Sequence, residues 1–188
     1  MTDARSRLLL AALADLLSYP AGAVAEAARQ ARAIAGSGEG AGAWSDALAR
    51  FCEHVEATDL AAMQELYTAT FDLQPACAPY FGHQLLGDSP LRGPLLAKLA
   101  EIYGAERFAP REELADHVAE VLRFLSVARP GDARDELVTD GVVPSLCRML
   151  EAFPDHANPY RDLLVAVHAL LADPGSPTGV APRREVLT

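Results

Sequence analysis

Apolar residues recur at helical spacing along nearly the whole of this 188-residue chain, and no stretch alternates long enough to suggest a half-buried strand. The clearest helical stripe consists of Trp44, Leu48, Phe51, Cys52 and Val55. Aromatic residues make up only 6%, while alanine and leucine supply most of the apolar share, which favours helices over strands. The pattern therefore predicts an all-α fold, a single helical-bundle domain of about eight or nine helices over residues 1–172.

Each predicted helix has one apolar face, and together these faces define a predicted core. The core residues are Leu13, Leu17, Leu48, Phe51, Leu95, Leu99, Leu122, Leu125, Leu164 and Val167. Ser89-Pro90 is a start signal for one helix, because serine can cap the helix and proline suits its first position. Gly141 and Pro144 predict a break in another helix. The Pro- and Gly-rich segment 173–188 is predicted to be a flexible tail.

The net charge of −10 argues against nucleic-acid binding, because an acidic surface repels phosphate backbones. It is compatible with a basic partner such as an arginine-rich peptide, and equally with a charge that only keeps the protein soluble. Composition alone leaves both interpretations open.

Cysteine usage and hydropathy predict a cytoplasmic protein that does not insert into a membrane. Cys52, Cys77 and Cys147 are widely spaced, an odd count without a disulfide framework. The leucine-rich start of the chain is interrupted by Asp15 and fits a packed helix better than a secretory signal. No apolar stretch approaches the roughly 20 residues that a membrane span needs.

The sequence lacks the spacing expected of a catalytic, cofactor or metal site. Helical di-metal sites use Glu-x-x-His, and only the reverse order occurs here, at His117 and Glu120. No nucleophile elbow or phosphate-binding loop is present. We therefore expect no catalytic residues, no cofactor and no metal. Two alternatives stay open: a small helical enzyme or metal protein using Asp116, His117 and Glu120, and a purely structural helical subunit.

Two segments carry polar and aromatic residues more specific than a packed helix requires. The first runs from Glu65 to Gly93 and contains Phe-Asp-Leu-Gln-Pro and Gly-Asp-Ser. The second runs from Leu114 to Phe124 and contains the Asp116-His117 pair. Both resemble the NarJ (nitrate reductase delta-subunit) branch of the TorD/DmsD/NarJ chaperones. The family commonly has proline before the Asp-His pair, where this chain has Ala115.

The resemblance implies a TorD-like helical bundle that acts as a system-specific chaperone rather than an enzyme. Such a protein would bind the N-terminal leader of a molybdoenzyme catalytic subunit and hold the apo form in the cytoplasm until molybdenum cofactor is inserted. The motifs point to the alpha subunit of respiratory nitrate reductase as the client, with a related molybdopterin oxidoreductase as the alternative. The peptide-binding residues implied are Tyr67, Phe71, Asp72, Gln74, Pro75, Tyr80, Asp116, His117 and Glu120.

A leader of this class is expected, by resemblance, to be a basic amphipathic segment that folds on docking. Tyr67, Phe71 and Tyr80 would bury its apolar face. Asp72, Asp116 and Glu120 would meet its arginines through charge-assisted hydrogen bonds. Asp116 is also expected to cap the helix that follows it. His117 is expected to titrate near pH 6.5, so that binding tightens modestly as the pH rises from about 6 to 7.5.

Overall fold

The computed structural model describes residues 2–36, 43–74, 77–153 and 157–172, and every regular element in these ranges is helical. The helices are α1 (Thr2–Leu16), α2 (Val24–Gly36), α3 (Ala43–Ala57), α4 (Leu60–Tyr67), α5 (Phe81–Leu86), α6 (Arg92–Ala105), α7 (Val118–Val127), α8 (Asp132–Glu136), α9 (Val143–Ala152) and α10 (Pro159–Ala172). A π-helical turn, Thr68–Asp72, extends α4, and a second, Leu137–Val142, joins α8 to α9. Because α8 and α9 are continuous, the described residues form nine helical segments, which confirms the predicted all-α class.

The helices pack around one apolar core. Helix α1 lies against α2 and α7, and α3 lies against α2 and α10. Nine of the ten predicted core residues are buried, and Leu95 is the exception. It is only half-buried because α6 covers the edge of the core and buries little besides Leu99 and Tyr103. Leu91, one turn earlier, is 61% exposed.

Two predicted helix boundaries differ from the structure. Helix α6 begins at Arg92 rather than Pro90, because the Ser89 hydroxyl and carbonyl accept hydrogen bonds from the next turn and form a separate turn. The break expected at Gly141 and Pro144 is instead a π-helical turn that continues into α9. A Cβ on Gly141 would lie only 3.3 Å from the Phe81 ring, so the glycine allows that close contact.

Within the described ranges, no helix combines the length and apolar character needed to cross a bilayer. The three cysteines are unpaired, Cys52 and Cys77 in the core and Cys147 half-buried. The proposed tail, residues 173–188, lies outside the described residues.

Candidate peptide-binding site

The two sequence segments singled out above meet in the structure. Tyr80 and His117 form an isolated antiparallel bridge, and the Phe81 amide donates a hydrogen bond to the Asp116 carbonyl at 2.9 Å. The Tyr80 ring also meets the His117 imidazole edge to face, with 5.0 Å between ring centroids. The segments are distant in the chain, but they build one unit at the start of α5 and α7.

The Asp116 carboxylate is fully buried and bound by Arg92 through both oxygens, at 2.9 and 3.2 Å. The Arg92 guanidinium also lies over the Tyr80 ring, 5.4 Å from its centroid, where a cation is attracted by the ring face. Asp116 therefore already has its guanidinium partner within the chain. Arg92 was not among the predicted site residues, although its position in the Gly-Asp-Ser-Pro-Leu-Arg-Gly motif could have indicated it.

Helix α7 is capped by His117 rather than Asp116, which corrects the expectation from the sequence. The His117 Nδ1 atom accepts a hydrogen bond from the Ala119 amide at 3.1 Å, two residues into the helix. The Asp116 carboxylate is instead bound by Arg92.

Gly82 leaves the space that the Asp116 carboxylate occupies. A Cβ at this position would lie 2.6 Å from Asp116 Oδ2 and 2.8 Å from a methyl carbon of Leu95. The leucine side chain can rotate away, but the carboxylate is held by two hydrogen bonds from Arg92. The glycine is therefore required by the close approach of α5 to the Asp116 carboxylate.

We expect Gly82→Ala to destabilise the fold by about 1–3 kcal/mol, because the added methyl group overpacks a site with a fixed carboxylate. Gly104→Ala is the matched control, since the same change within α6 meets no atom within 4 Å. It is expected to stabilise the protein by about 0.4–1 kcal/mol through reduced freedom of the unfolded chain. Urea unfolding measures both changes, and equal effects of the two substitutions would contradict the packing described here.

His117 does not titrate in the range expected from the sequence. It is only 1% exposed, and burial, with a smaller effect from Arg123, lowers its pKa to about 4. The imidazole is thus neutral between pH 6 and 7.5. The predicted tightening of peptide binding over that interval, attributed to His117, is wrong for this reason.

The lowered pKa instead links His117 to stability. His117 takes up its proton near pH 6.5 in the unfolded chain and only near pH 4 in the folded chain. Its contribution to the free energy of unfolding is therefore fully present above about pH 6.5 and is lost as the pH falls towards 4. Between pH 7 and 5 the loss is about 2 kcal/mol. His117→Asn keeps a capping acceptor without the titration. Unfolding curves at both pH values should show the variant losing about 2 kcal/mol less than the parent; identical losses would contradict this account.

Glu120 is also fully buried and internally bound. Its Oε1 atom accepts a hydrogen bond from Arg123 at 2.6 Å, and its Oε2 atom accepts one from the Arg111 amide at 3.1 Å. Arg123 is itself mostly buried and also donates to Ser18 of the α1–α2 connection. Glu120 therefore links the segment before α7, through Arg123, to the α1–α2 connection, and its charge is balanced within the chain.

Tyr67 and Phe71 lie in an aromatic cluster beneath the surface, 3% and 2% exposed. Their rings meet at 4.9 Å, and Phe71 meets Tyr160 of α10 at 5.0 Å. Tyr67 ends α4 and Phe71 lies in the π-helical turn that follows. That turn is fixed by Asn158, whose amide donates to Thr70 at 2.7 Å. These two aromatics therefore support the surface from within.

Other predicted residues lie at the surface. Asp72 is exposed, and Gln74 and Tyr80 are half-buried. Pro75 lies outside the described residues. The Tyr80 hydroxyl donates a hydrogen bond to Glu113 at 2.8 Å. Burial first, then this bond and the nearby carboxylates, raise the pKa of Tyr80, and Asp72 is among those carboxylates.

Three further residues, two exposed and one half-buried, complete a surface patch that the sequence did not single out. Leu73 is 72% exposed, and Tyr19 is 49% exposed with its ring against Tyr67. Glu113 is the third, and the Glu-Glu pair before Leu114 was the only sequence signal for it. We call the set Tyr19, Asp72, Leu73, Tyr80 and Glu113 the Tyr80 surface. It combines apolar and acidic groups.

The part of the chain that the structure describes contains no group of three histidine, cysteine or acidic side chains placed to hold a metal ion. Asp116 and Glu120 are instead bound by arginines. The observed geometry suits recognition of a cationic, partly apolar partner.

The fold is similar to that of a protein of known structure that is described as a redox enzyme maturation protein. A crystal structure from Archaeoglobus fulgidus, assigned as such a protein, superposes with a TM-score of 0.60 at 23% sequence identity, covering 90% of this chain and 94% of the other. The sequence model of the nitrate reductase delta subunit matches residues 37–166, more than half of the chain. The chain therefore belongs to the nitrate reductase delta subunit family. No curated protein sequence gives a significant match.

Proposed function

We propose that this protein is a non-catalytic, system-specific chaperone that binds the N-terminal leader of a molybdoenzyme catalytic subunit in the cytoplasm. The client is the alpha subunit of a respiratory nitrate reductase, held in its apo form until molybdenum cofactor is inserted. Family membership supports the client class. The observation that carries the proposal is the Tyr80 surface, where an exposed carboxylate (Asp72), a half-buried one (Glu113) and exposed apolar side chains lie over the junction of two segments.

The two carboxylates of this surface have no cationic partner within the described part of the chain, although Glu113 accepts a hydrogen bond from the Tyr80 hydroxyl. Asp116 and Glu120 are bound by arginines, whereas Asp72 and Glu113 form no ion pair within the described part of the chain. Leader arginines would meet these two carboxylates. Charge-assisted hydrogen bonds of this kind are about twice as strong as neutral ones. In this proposal, the burial of the other two carboxylates directs the leader towards Asp72 and Glu113.

The apolar part of the surface would receive the other face of an amphipathic leader. Leu73 and Tyr19 are exposed beside the acidic groups, and Leu114, which follows Glu113, is 51% exposed. A helix that folds on docking places apolar side chains every three or four residues along one face. Exposed apolar groups next to carboxylates match such a ligand, because both of its faces then gain contacts.

The buried members of the predicted site take a supporting role in this proposal. Tyr67 and Phe71 hold the π-helical turn that presents Asp72 and Leu73. Asp116, with Arg92, fixes the start of α5 beneath Tyr80. His117 and Glu120 similarly hold the start of α7 and the segment that carries Glu113. Gln74 and Pro75 follow the exposed turn and are proposed to border the docked leader.

Co-purification with defined clients tests the proposal. The tagged chain is co-expressed with apo nitrate reductase alpha, with the same subunit lacking its N-terminal leader, or with the catalytic subunit of a related molybdopterin oxidoreductase. We expect a stoichiometric complex with the first and little with the second. Equal recovery of the leaderless subunit would reject leader binding. Preferential recovery of the third protein would reassign the client while retaining the chaperone function. Recovery only within an assembled, cofactor-loaded enzyme would favour a structural subunit.

A further inference from the structure

A thiol and an imidazole lie in contact between α9 and α10, on elements that do not contribute to the Tyr80 surface. Cys147 Sγ is 3.0 Å from His168 Nε2. Both side chains are half-buried, so the pair is partly accessible to solvent. Within the described part of the chain no other thiol has a histidine partner.

The other two cysteines are inert by comparison. Cys52 and Cys77 are fully buried. Burial raises the pKa of Cys52 to about 12, and burial also raises the pKa of Cys77. A thiol reacts through its thiolate, and a buried apolar site disfavours that charge. The chain thus contains its own internal controls for the reactivity of Cys147.

The His168 ring is suited to accept the thiol proton. Burial lowers its pKa, which favours the neutral imidazole with a free nitrogen lone pair. In the tautomer that carries its proton on Nδ1, the Nε2 lone pair faces Cys147 Sγ at hydrogen-bonding distance. A thiol with an adjacent base and an accessible sulfur is the arrangement that activates cysteine as a nucleophile.

We propose that Cys147 is an oxidative modification site that reacts with hydroperoxides, with His168 as the proton acceptor. The thiol proton passes to His168 Nε2 as the sulfur attacks one peroxide oxygen. An S–O bond forms, the O–O bond breaks, and the departing hydroxide takes the proton from His168 to leave as water. Cys147 loses two electrons and becomes a sulfenic acid, while hydrogen peroxide is reduced. Sulfenic acids are reversible and condense with further thiols.

Site-resolved labelling of the folded chain tests this assignment. The protein is exposed to hydrogen peroxide with dimedone as the sulfenic-acid trap, and each cysteine is followed by peptide mass spectrometry. We expect Cys147 to be labelled at least about tenfold faster than Cys52 and Cys77. His168→Gln should slow labelling of Cys147 by about tenfold or more, because the proton acceptor is removed. The control variant His54→Gln removes an imidazole on α3 that is hydrogen-bonded to Thr58. It should leave the labelling rate of Cys147 unchanged.

Thermal unfolding of each variant separates a chemical effect from loss of structure. A slower reaction of Cys147 in a His168→Gln protein with an unchanged melting temperature supports the proposal. If that variant does not fold, the labelling rate of Cys147 is measured in His168→Asn instead. The relative labelling rates of the three cysteines in the parent chain then also test the proposal. Labelling of Cys52 or Cys77 as fast as Cys147 would overturn the proposal. So would an unchanged Cys147 rate in a folded His168 variant.

Discussion

Arg92→Ala is expected to destabilise the protein by about 3–5 kcal/mol, because it leaves the carboxylate of Asp116 buried without a counter-charge. Asp116 has no exposed surface, and Arg92 supplies both of its hydrogen bonds from a side chain that is 28% exposed. The same guanidinium lies over Tyr80, so its removal also takes away one contact of the ring at the centre of the proposed site. Urea unfolding at pH 7 measures the loss.

Arg129→Ala is the matched control for this substitution. Arg129 also binds a carboxylate, that of Glu106, but its side chain is 76% exposed. Exposed ion pairs contribute about 0–1 kcal/mol, so we expect little change. Similar losses in the two variants would show that the Arg92–Asp116 pair is no more than a surface contact.

Phe71→Ala is expected to lower the free energy of unfolding by about 3–5 kcal/mol, because a buried aromatic ring is lost from the core. The ring is 2% exposed and packs against Tyr67 and Tyr160. Its truncation therefore leaves a cavity between the π-helical turn and α10. The turn that carries Asp72 would lose its support. Denaturant unfolding should therefore show the loss whether or not a leader peptide is present.

Leu73→Ala distinguishes structural support of the π-helical turn from direct contact with the leader, because Leu73 directly follows that turn. Leu73 lies two residues after Phe71 and is 72% exposed, so its truncation is expected to change stability by less than about 0.5 kcal/mol. The Leu73→Ala substitution should nevertheless weaken leader binding in the proposed complex. The free energies of unfolding of the parent and the variant should remain nearly equal. The interpretation fails if Leu73→Ala unfolds as readily as Phe71→Ala.

The fold could be predicted from the sequence because helical periodicity is a local signal. Nine of ten core residues are buried where their spacing placed them. Leu95 differs because burial on α6 depends on how far that helix covers the core, which spacing does not encode. The family signature could also be recognised, since its residues are contiguous in the chain.

The exposure of individual site residues could not be predicted, because it depends on geometry and partners distant in sequence. The π-helical turn departs from the 3.6-residue period, and it places Phe71 inside and Asp72 outside. Asp116 is satisfied by Arg92, 24 residues earlier. The Gly-Asp-Ser-Pro-Leu-Arg-Gly motif could have indicated Arg92 as a site residue, but not that it binds Asp116. His117 is buried by elements from both segments, so the reference pKa of histidine did not predict the pKa of His117 in the folded chain.

The central claim is that the Tyr80 surface binds a basic leader through Asp72 and Glu113. Calorimetric titration of the chain with the N-terminal peptide of nitrate reductase alpha tests it most directly. The decisive variant is the double substitution Asp72→Asn and Glu113→Gln. A matched double variant, Asp132→Asn and Glu151→Gln, changes the net charge equally at exposed positions on α8 and α9.

Each charge-assisted hydrogen bond contributes about 1.5–3 kcal/mol, so the first double variant should lose at least about 100-fold in affinity for the peptide. The second should bind within about threefold of the parent, because a change of net charge alone acts weakly across solvent. Circular dichroism should show both variants folded. Equal affinities of the two double variants, or parent-like binding by the first, would contradict the account.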